Sequence, residues 1–399
     1  MAAALNAAGH DAVLAAPAAS GYLTTPFDIH FVPTHETWDV LATDPLVRRA
    51  LESNYRGLRG KKLLVQLMGR FRQAMTRVLD DIATMPGYGA DLVVSHPILP
   101  GRLVSEELGV PCVTACLEPA WVPTSSFTNP VLPFRLPRAL NRASYRATDL
   151  WIRGFVGNGG RWPRRPGSSA SPYGWPGDEH STVLHAFSRH ILPAGTDYPD
   201  WVRTTGFWFL PEVPAWVPPR DLVDYLRADE PPVYIGFGSL LGLPPALART
   251  IVGEAVRRAG VRAVVTGLGD DRGADPTGHL FYVGKASFDW LFPRVSAIVH
   301  HGGSGTSGTA LAAGRPQVVC PAAEPGQRFN GWRAHATGVA PPPLVRRDLT
   351  PESLAAAIRQ AVTDERLAAN AEEMRRKIRA ENGVSTAVGI LESLSLVYA

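Results

Sequence analysis

The run His300-His301-Gly302-Gly303-Ser304-Gly305-Thr306 carries the densest chemistry in this 399-residue chain. It follows the apolar residues 297–299 and leads into a helix-forming stretch that ends near Ala313. A strand that passes through glycines directly into a helix leaves the first helical amides without intrahelical partners, with their positive end facing the turn. Glycine also lets a ligand approach the backbone closely. Ser304 and Thr306 add hydroxyls, and His300 or His301 adds a ring N–H or, if protonated, a charge. Together these features suit a diphosphate. A turn packed tightly for its own sake would use the glycines as well. Two histidines at the C-terminal end of a strand, where open α/β sheets bind ligands, favour the ligand. The Walker ending GKS or GKT is absent. Gly303 and Gly305 match the first two glycines of a dinucleotide fingerprint, and Glu324 stands near the distance of a ribose-binding acid. A nucleotide-linked oxidoreductase therefore stays as a weaker alternative.

The elements around this turn alternate. Residues 233–237, 261–266, 280–283, 297–300 and 317–320 read as strands, with helices at 245–259 and 306–313, which predicts a doubly wound domain over 232–375. The first half reads as a helix at 2–8 with Gly9 as C-cap, then strands at 12–16 and 29–33. Helices follow at 45–55 and 61–85, then a strand at 91–95, a helix at 101–108 ending at Gly109, and a strand at 111–115. This predicts an α/β domain over 1–210, a proline-rich linker over 211–231 and a helical tail over 376–399 that packs back on the first domain. Residues 120–137 read as a long loop beside a site, and 161–178 as the least structured stretch. Thr350-Pro351 is a helix start, threonine capping and proline at the first helical position.

Composition limits the partners. An apolar fraction of 45% and a charged fraction of 19% are those of a folded protein, and the length suits two domains. A net charge of +4 argues against a dedicated nucleic-acid binder, and the arginines at 161–165 read as a solvated loop. Cys112, Cys116 and Cys320 sit in apolar runs, which implies a reducing, cytoplasmic setting without a disulfide framework. The spacing of Cys112 and Cys116 lacks a second pair for zinc. No apolar run reaches the length of a membrane span.

The segments HHGGSGTSGTALAAGRPQVVCP and GQRFN resemble bacterial and fungal glycosyltransferases of the sterol-glucosyltransferase and antibiotic-glycosyltransferase kind. LNAAGHDAVLAAP, DLVVSHPILPG, SEELGVP, PTSSF, TTGFWFLP, PPVYIGFGS, DWLFPRVSAIVHHGG and LTPESLAAAIRQAV fall in the same order. The resemblance implies the GT-B fold, two Rossmann-like α/β domains facing a central cleft. It implies a UDP- or dTDP-sugar as donor substrate with no further cofactor and no metal, and a bulky apolar acceptor. Trp121, Phe127, Phe134, Trp151 and Trp162 are candidates to line the acceptor site. His300, His301 and the amides from Gly302 to Thr306 would hold the diphosphate, with Gly238 and Ser239 on its other side. Phe288, Trp290 and Leu291 fall where the base binds, and Glu324, Gln327 and Asn330 where the sugar is read. The family usually has an adjacent Asp-Gln pair there; this chain has Gly326-Gln327.

The family also begins with a strand, a Gly-rich loop carrying a catalytic His or Asp, and a helix. The first residues here match only the end of that helix, so the expectation is a first domain lacking that strand and base. His96, at the end of the strand 91–95, is then the candidate base, a near-neutral imidazole able to take a hydroxyl proton. A loop histidine without a role in proton transfer is the competing reading. The expected activity is inverting transfer of a hexose or deoxyhexose to a hydroxyl. The alternative is a non-catalytic auxiliary protein that keeps the fold and binds nucleotide, with oligomer or auxiliary partners left open.

Overall fold

Short apolar strands alternating with amphipathic helices build two α/β units in the computed structural model, which describes residues 1–35, 44–52, 57–156, 182–210, 216–237, 244–269, 271–322 and 325–398. One unit comprises Met1–Arg189, Pro193–Leu210 and Glu381–Ala399; the other comprises His190–Leu192 and Pro211–Ala380.

The first unit runs α1 (Ala2–Ala7), β1 (Val13–Pro17), β2 (His30–Thr34), α2 (Pro45–Glu52), α3 (Gly57–Ile82), β3 (Val93–Ser95), α4 (Gly101–Leu108), β4 (Cys112–Cys116), α5 (Arg138–Ser144), α6 (Arg146–Phe155), β5 (Thr182–His185) and β6 (Val202–Thr204). β1 and β2 pair in parallel as one sheet, and β3-β4-β5-β6 form a second, four-stranded parallel sheet. Helix α4 stops at Gly109, whose φ of 73° takes the left-handed cap that glycine adopts without a Cβ penalty.

The second unit runs α7 (Arg220–Arg227), β7 (Val233–Gly236), α8 (Pro245–Ala259), β8 (Ala263–Thr266), β9 (Gly273–Ala274), β10 (Leu280–Tyr282), α9 (Phe288–Leu291), β11 (Ile298–His300), α10 (Ser304–Ala313), β12 (Gln317–Val319), α11 (Pro325–Ala336), α12 (Pro351–Thr363) and α13 (Glu365–Ala380). Its sheet has the order β12-β11-β7-β8-β10-β9, parallel except for the short β9 edge. Alternate residues of β7 enter two cores: Val233 and Ile235 pack with α8 and α12, while Tyr234 packs with Phe292 and Ile298 on the other face. The stretch expected as a linker contains α7, whose Leu222 and Tyr225, three residues apart, are buried on that second face. Its prolines precede the helix, and the pattern of four polar or charged residues around those two anchors makes it amphipathic. Thr350 caps α12 with a reciprocal pair of bonds to Ser353.

The chain rejoins the first unit at Glu381. Helix α14 (Gly383–Tyr398) buries Ala387 and Leu391 against Val113 and Leu184, with Met1 and Leu5 of α1 beside them. Gly383 permits the approach, since a Cβ there would lie 2.5 Å from the Phe207 carbonyl oxygen.

Candidate functional site

Strand order reverses between β7 and β11, because successive strands run outward from β7 on one side and from β11 on the other. The C-terminal ends of those two strands are where an open sheet leaves a ligand crevice. His300 sits there, in register with Gly236 of β7.

His300 is fully buried. Its Nδ1 accepts the Gly302 amide at 3.1 Å, and its Nε2 lies 2.9 Å from Gln317 Oε1. With Nδ1 accepting, the ring proton belongs on Nε2, which donates to Gln317. Burial pushes the His300 pKa down to about 4, against the Gln317 hydrogen bond, so the ring is neutral at pH 7. For His300 this corrects the expectation of a charge or ring N–H offered to phosphate, since both of its ring nitrogens are spent inside. His300 instead fixes the turn. Gly302 takes φ +90°, and a Cβ there would meet the Gln327 carbonyl oxygen at 2.8 Å and Val319 at 2.9 Å. Asn330 Nδ2 donates to the Gly302 carbonyl at 2.9 Å and to Ser304 Oγ at 3.4 Å.

Gly303 is the N-cap of α10, with no side-chain cap. The Ser307 amide bonds back to the Gly303 carbonyl, so the amides of Gly305 and Thr306 precede the first intrahelical bond. Gly305 is exposed and Thr306 half-buried. Burial also lowers the His301 pKa, opposed by a hydrogen bond with the Gly236 backbone, and its buried Nδ1 has no partner among the described residues. The positive character of the turn thus comes from the helix end and not from imidazolium.

The sugar-reading expectation also changes. Gln327 is buried and its Oε1 accepts the Ala322 amide at 2.9 Å. With Asn330 tied to Gly302, these two side chains brace the turn from α11 and do not project as free readers. Short-range packing produces this: α11 is the next element after β12, and its first-turn Gln327 satisfies an amide of the loop between them. Glu324, Gly238 and Ser239 lie outside the described residues. Of the base-binding candidates, Leu291 is wholly in the core; Phe288 stacks on Phe292 at 4.5 Å, also facing inward. Trp290 keeps Arg294 over its ring at 4.4 Å and Trp216 at 5.3 Å. Sequence reading passed over Arg328, at the start of α11. It is half-buried, its pKa is pushed down by burial, and it has no partner among the described residues.

In the first unit, His96 follows β3 and meets Trp121 edge-on at 5.5 Å. Its Nδ1 accepts the Ile98 amide at 3.3 Å, and burial lowers its pKa to about 4. The near-neutral imidazole expected from the sequence is corrected by that desolvation. Trp121 is buried, Phe134 is 57% exposed, and Trp151 packs on Phe155, so the expected aromatic lining is not one cluster; Trp162 lies outside the described residues. The loop at 124–126 is pinned by Asp197, which accepts from the Thr124 hydroxyl, Ser125 Oγ at 2.8 Å and Ser126 Oγ at 2.9 Å. Those bonds hold the Asp197 carboxyl well below the usual range. Among the described residues, no group of three His, Cys, Asp or Glu is placed to hold a metal, and no helix is long and apolar enough to cross a membrane.

Two Rossmann-like units, one with a glycine turn feeding a helix N-terminus at its switch point, define the GT-B fold. The chain is similar to the calicheamicin glycosyltransferase CalG4, with a TM-score of 0.65 and 16% identity over 98% of this chain and 93% of that one. The spinosyn forosaminyltransferase SpnP gives 0.63 and 20% over 99% and 94%, and the glycosyltransferase VinC in complex with dTDP gives 0.61 and 19% over 99% and 94%. The family described as erythromycin biosynthesis protein CIII-like, C-terminal domain, matches residues 280–394. Sterol 3-beta-glucosyltransferase of Aspergillus oryzae is 33% identical over 321 residues, 75% of this chain and 22% of that protein. The Neurospora crassa protein of the same name is 32% identical over 326 residues, 75% and 20%. The chain is thus related to the antibiotic and sterol glycosyltransferases, and it spans about a fifth of the length of these curated relatives.

Proposed function

We propose that this protein transfers a hexose or deoxyhexose from a UDP- or dTDP-sugar to a hydroxyl of a hydrophobic acceptor, with inversion. The observation that carries this reading is the β11–α10 turn. Three buried side chains, His300, Gln317 and Asn330, are spent on holding its backbone, while the amides of Gly305 and Thr306 point beyond the helix end. Such prepaid geometry stabilises charge on a departing diphosphate without reorganisation.

In this mechanism the acceptor oxygen attacks the anomeric carbon as the bond to the diphosphate oxygen breaks, and the hydroxyl proton passes to a base. His96 is the candidate base. It takes up a proton only when Nδ1 gives up the 3.3 Å bond from Ile98, since both ring nitrogens of imidazolium are donors. That occupied, desolvated ring is also the observation favouring a second reading, an auxiliary protein that binds nucleotide without turnover.

One experiment separates them. The protein is incubated with UDP- and dTDP-hexoses and a panel of lipophilic alcohols, with products read by mass spectrometry and nucleotide binding by calorimetry. Glycosylated product supports the transferase; nucleotide binding without any product supports the auxiliary protein, and no binding of either nucleotide overturns both.

A further inference from the structure

At the opposite end of the same sheet, the second unit holds a cavity of 680 Å³. Pro231, Ser296 and Pro316, which line it, lie one or two residues before β7, β11 and β12. The cavity therefore sits under the N-terminal ends of three neighbouring strands, and the Gly302 turn sits beyond their C-terminal ends. The turn Gly314-Arg315 and one side of α13 close its wall. A volume of this size matches small-molecule sites, which run from about 300 to 1,000 Å³, and exceeds what a bare ion needs.

The lining is divided by chemistry. Pro293, Ala313, Pro316 and Val362 present apolar surface, and Val362 is partly exposed there. Facing them are three guanidinium groups, Arg315, Arg375 and Arg379, against a single carboxylate, Glu372. Arg375 closes on Glu372 through two bonds of 2.8 and 2.6 Å, so that pair is neutralised. Gly314 makes room for it: its φ is +71°, and a Cβ there would lie 2.8 Å from Arg375 Cδ.

The other two arginines keep donors in reserve. Arg379 gives Nε to the Ala312 carbonyl at 3.0 Å, and its two terminal nitrogens have no hydrogen bond among the described residues. Arg315 gives Nη2 to the Pro293 carbonyl, while its Nε is buried and has no partner there. Capping the last carbonyls of α10 accounts for the Arg379 Nε bond, and because Arg379 is exposed its terminal nitrogens face solvent and are available to an anion. The Arg315 Nε is, in contrast, a buried N–H without an acceptor among the described residues, a rare state in native proteins that leaves this guanidinium short of partners.

We propose that this cavity binds a small organic anion, a phosphate or carboxylate carried on an apolar body. Arg315 and Arg379 hold the anionic group, and Pro293, Pro316 and Val362 cover the body. The site is separate from the glycine turn and fills independently of a nucleotide there.

The test uses the full chain, titrated by calorimetry with 1-naphthyl phosphate, 1-naphthoate and inorganic phosphate, each with and without excess dTDP. At least one naphthyl anion is expected to bind one per chain with a Kd below about 1 mM, unchanged by dTDP and tighter than inorganic phosphate. A preference for the phosphate or for the carboxylate then identifies the anionic group. Arg379→Gln weakens binding about tenfold, as loss of a charge-assisted contact. Val362→Glu, on an exposed position that leaves the fold intact, does so by repulsion. Failure of both naphthyl anions to bind, displacement by dTDP, inorganic phosphate binding as tightly, or binding indifferent to both substitutions overturns the proposal.

Discussion

His300 Nε2 and Gln317 Oε1 lie 2.9 Å apart in a fully buried pair that joins β11 to β12 just below the glycine turn. The pair orients the imidazole so that its Nδ1 accepts the Gly302 amide. Removing either partner strands a buried polar group at a cost of about 1 to 3 kcal/mol and loosens the turn. His300→Ala and Gln317→Ala should therefore behave alike: a lower melting temperature and about tenfold weaker UDP or dTDP binding, because the pre-set amides are lost. A His300→Ala protein with full stability and weakened binding alone would instead mark His300 as a direct phosphate contact.

That relationship also shows where sequence reading stops. The turn, its glycines and the helix after it were legible because they are local: helix formers follow directly on a strand. Helix α4 with Gly109 and helix α8 were legible for the same reason, as were Thr350 and Pro351 opening α12. The role of His300 was not, since Gln317 is 17 residues away and only strand pairing brings it close. The strands Thr182–His185 and Val202–Thr204 are too short to show a period of their own, and they exist because β4 offers an edge to β5 and β5 to β6. Helix α11 was hidden by its opening Pro-Gly, which reads as a turn until Gln327 and Asn330 are seen bracing the loops beside it.

Arg328 gives a second prediction. A half-buried guanidinium without a partner costs stability, and an incoming anion would repay it. Arg328→Gln should leave the melting temperature unchanged or slightly raised, while nucleotide diphosphate binding weakens about tenfold and becomes less sensitive to salt. A fall in melting temperature with unchanged binding would show a structural residue.

Stability should depend on pH through three buried histidines. Burial lowers the pKa of His96 to about 4, of His185 to about 3 and of His300 to about 4, from 6.5. Between pH 6.5 and those values the unfolded chain binds protons that the folded chain refuses. Each group then removes about 1.4 kcal/mol of stability per pH unit as the pH falls through that window, and contributes no slope above it. Urea midpoints at pH 7.5, 6.5, 5.5 and 4.5 should be level at first and then drop. His185→Gln should flatten the drop; a midpoint that holds or rises below pH 6.5 contradicts the assignment.

The last prediction concerns the donor sugar. Helix α11 opens Pro325-Gly326-Gln327, with Gly326 and Gln327 buried and the Gln327 side-chain oxygen accepting the Ala322 amide. An aspartate at 326 would sit in the first turn of a helix, where the dipole favours a negative charge, and could accept from two neighbouring sugar hydroxyls. It would also be costly wherever those hydroxyls were missing, since a buried carboxylate needs partners. Glycine removes both the contact and the penalty, which suits a deoxysugar. We predict that the parent protein uses a deoxyglucose donor at least as well as the matched glucose donor, and that Gly326→Asp moves kcat/KM about tenfold toward glucose, the worth of one charge-assisted hydrogen bond. Glu324, two residues earlier, is the competing reader. Steady-state rates with the donor pair, in the parent, Gly326→Asp and Glu324→Ala, separate the two. If the parent strongly prefers glucose and Glu324→Ala alone abolishes the preference, Glu324 reads the sugar and the deoxysugar hypothesis fails.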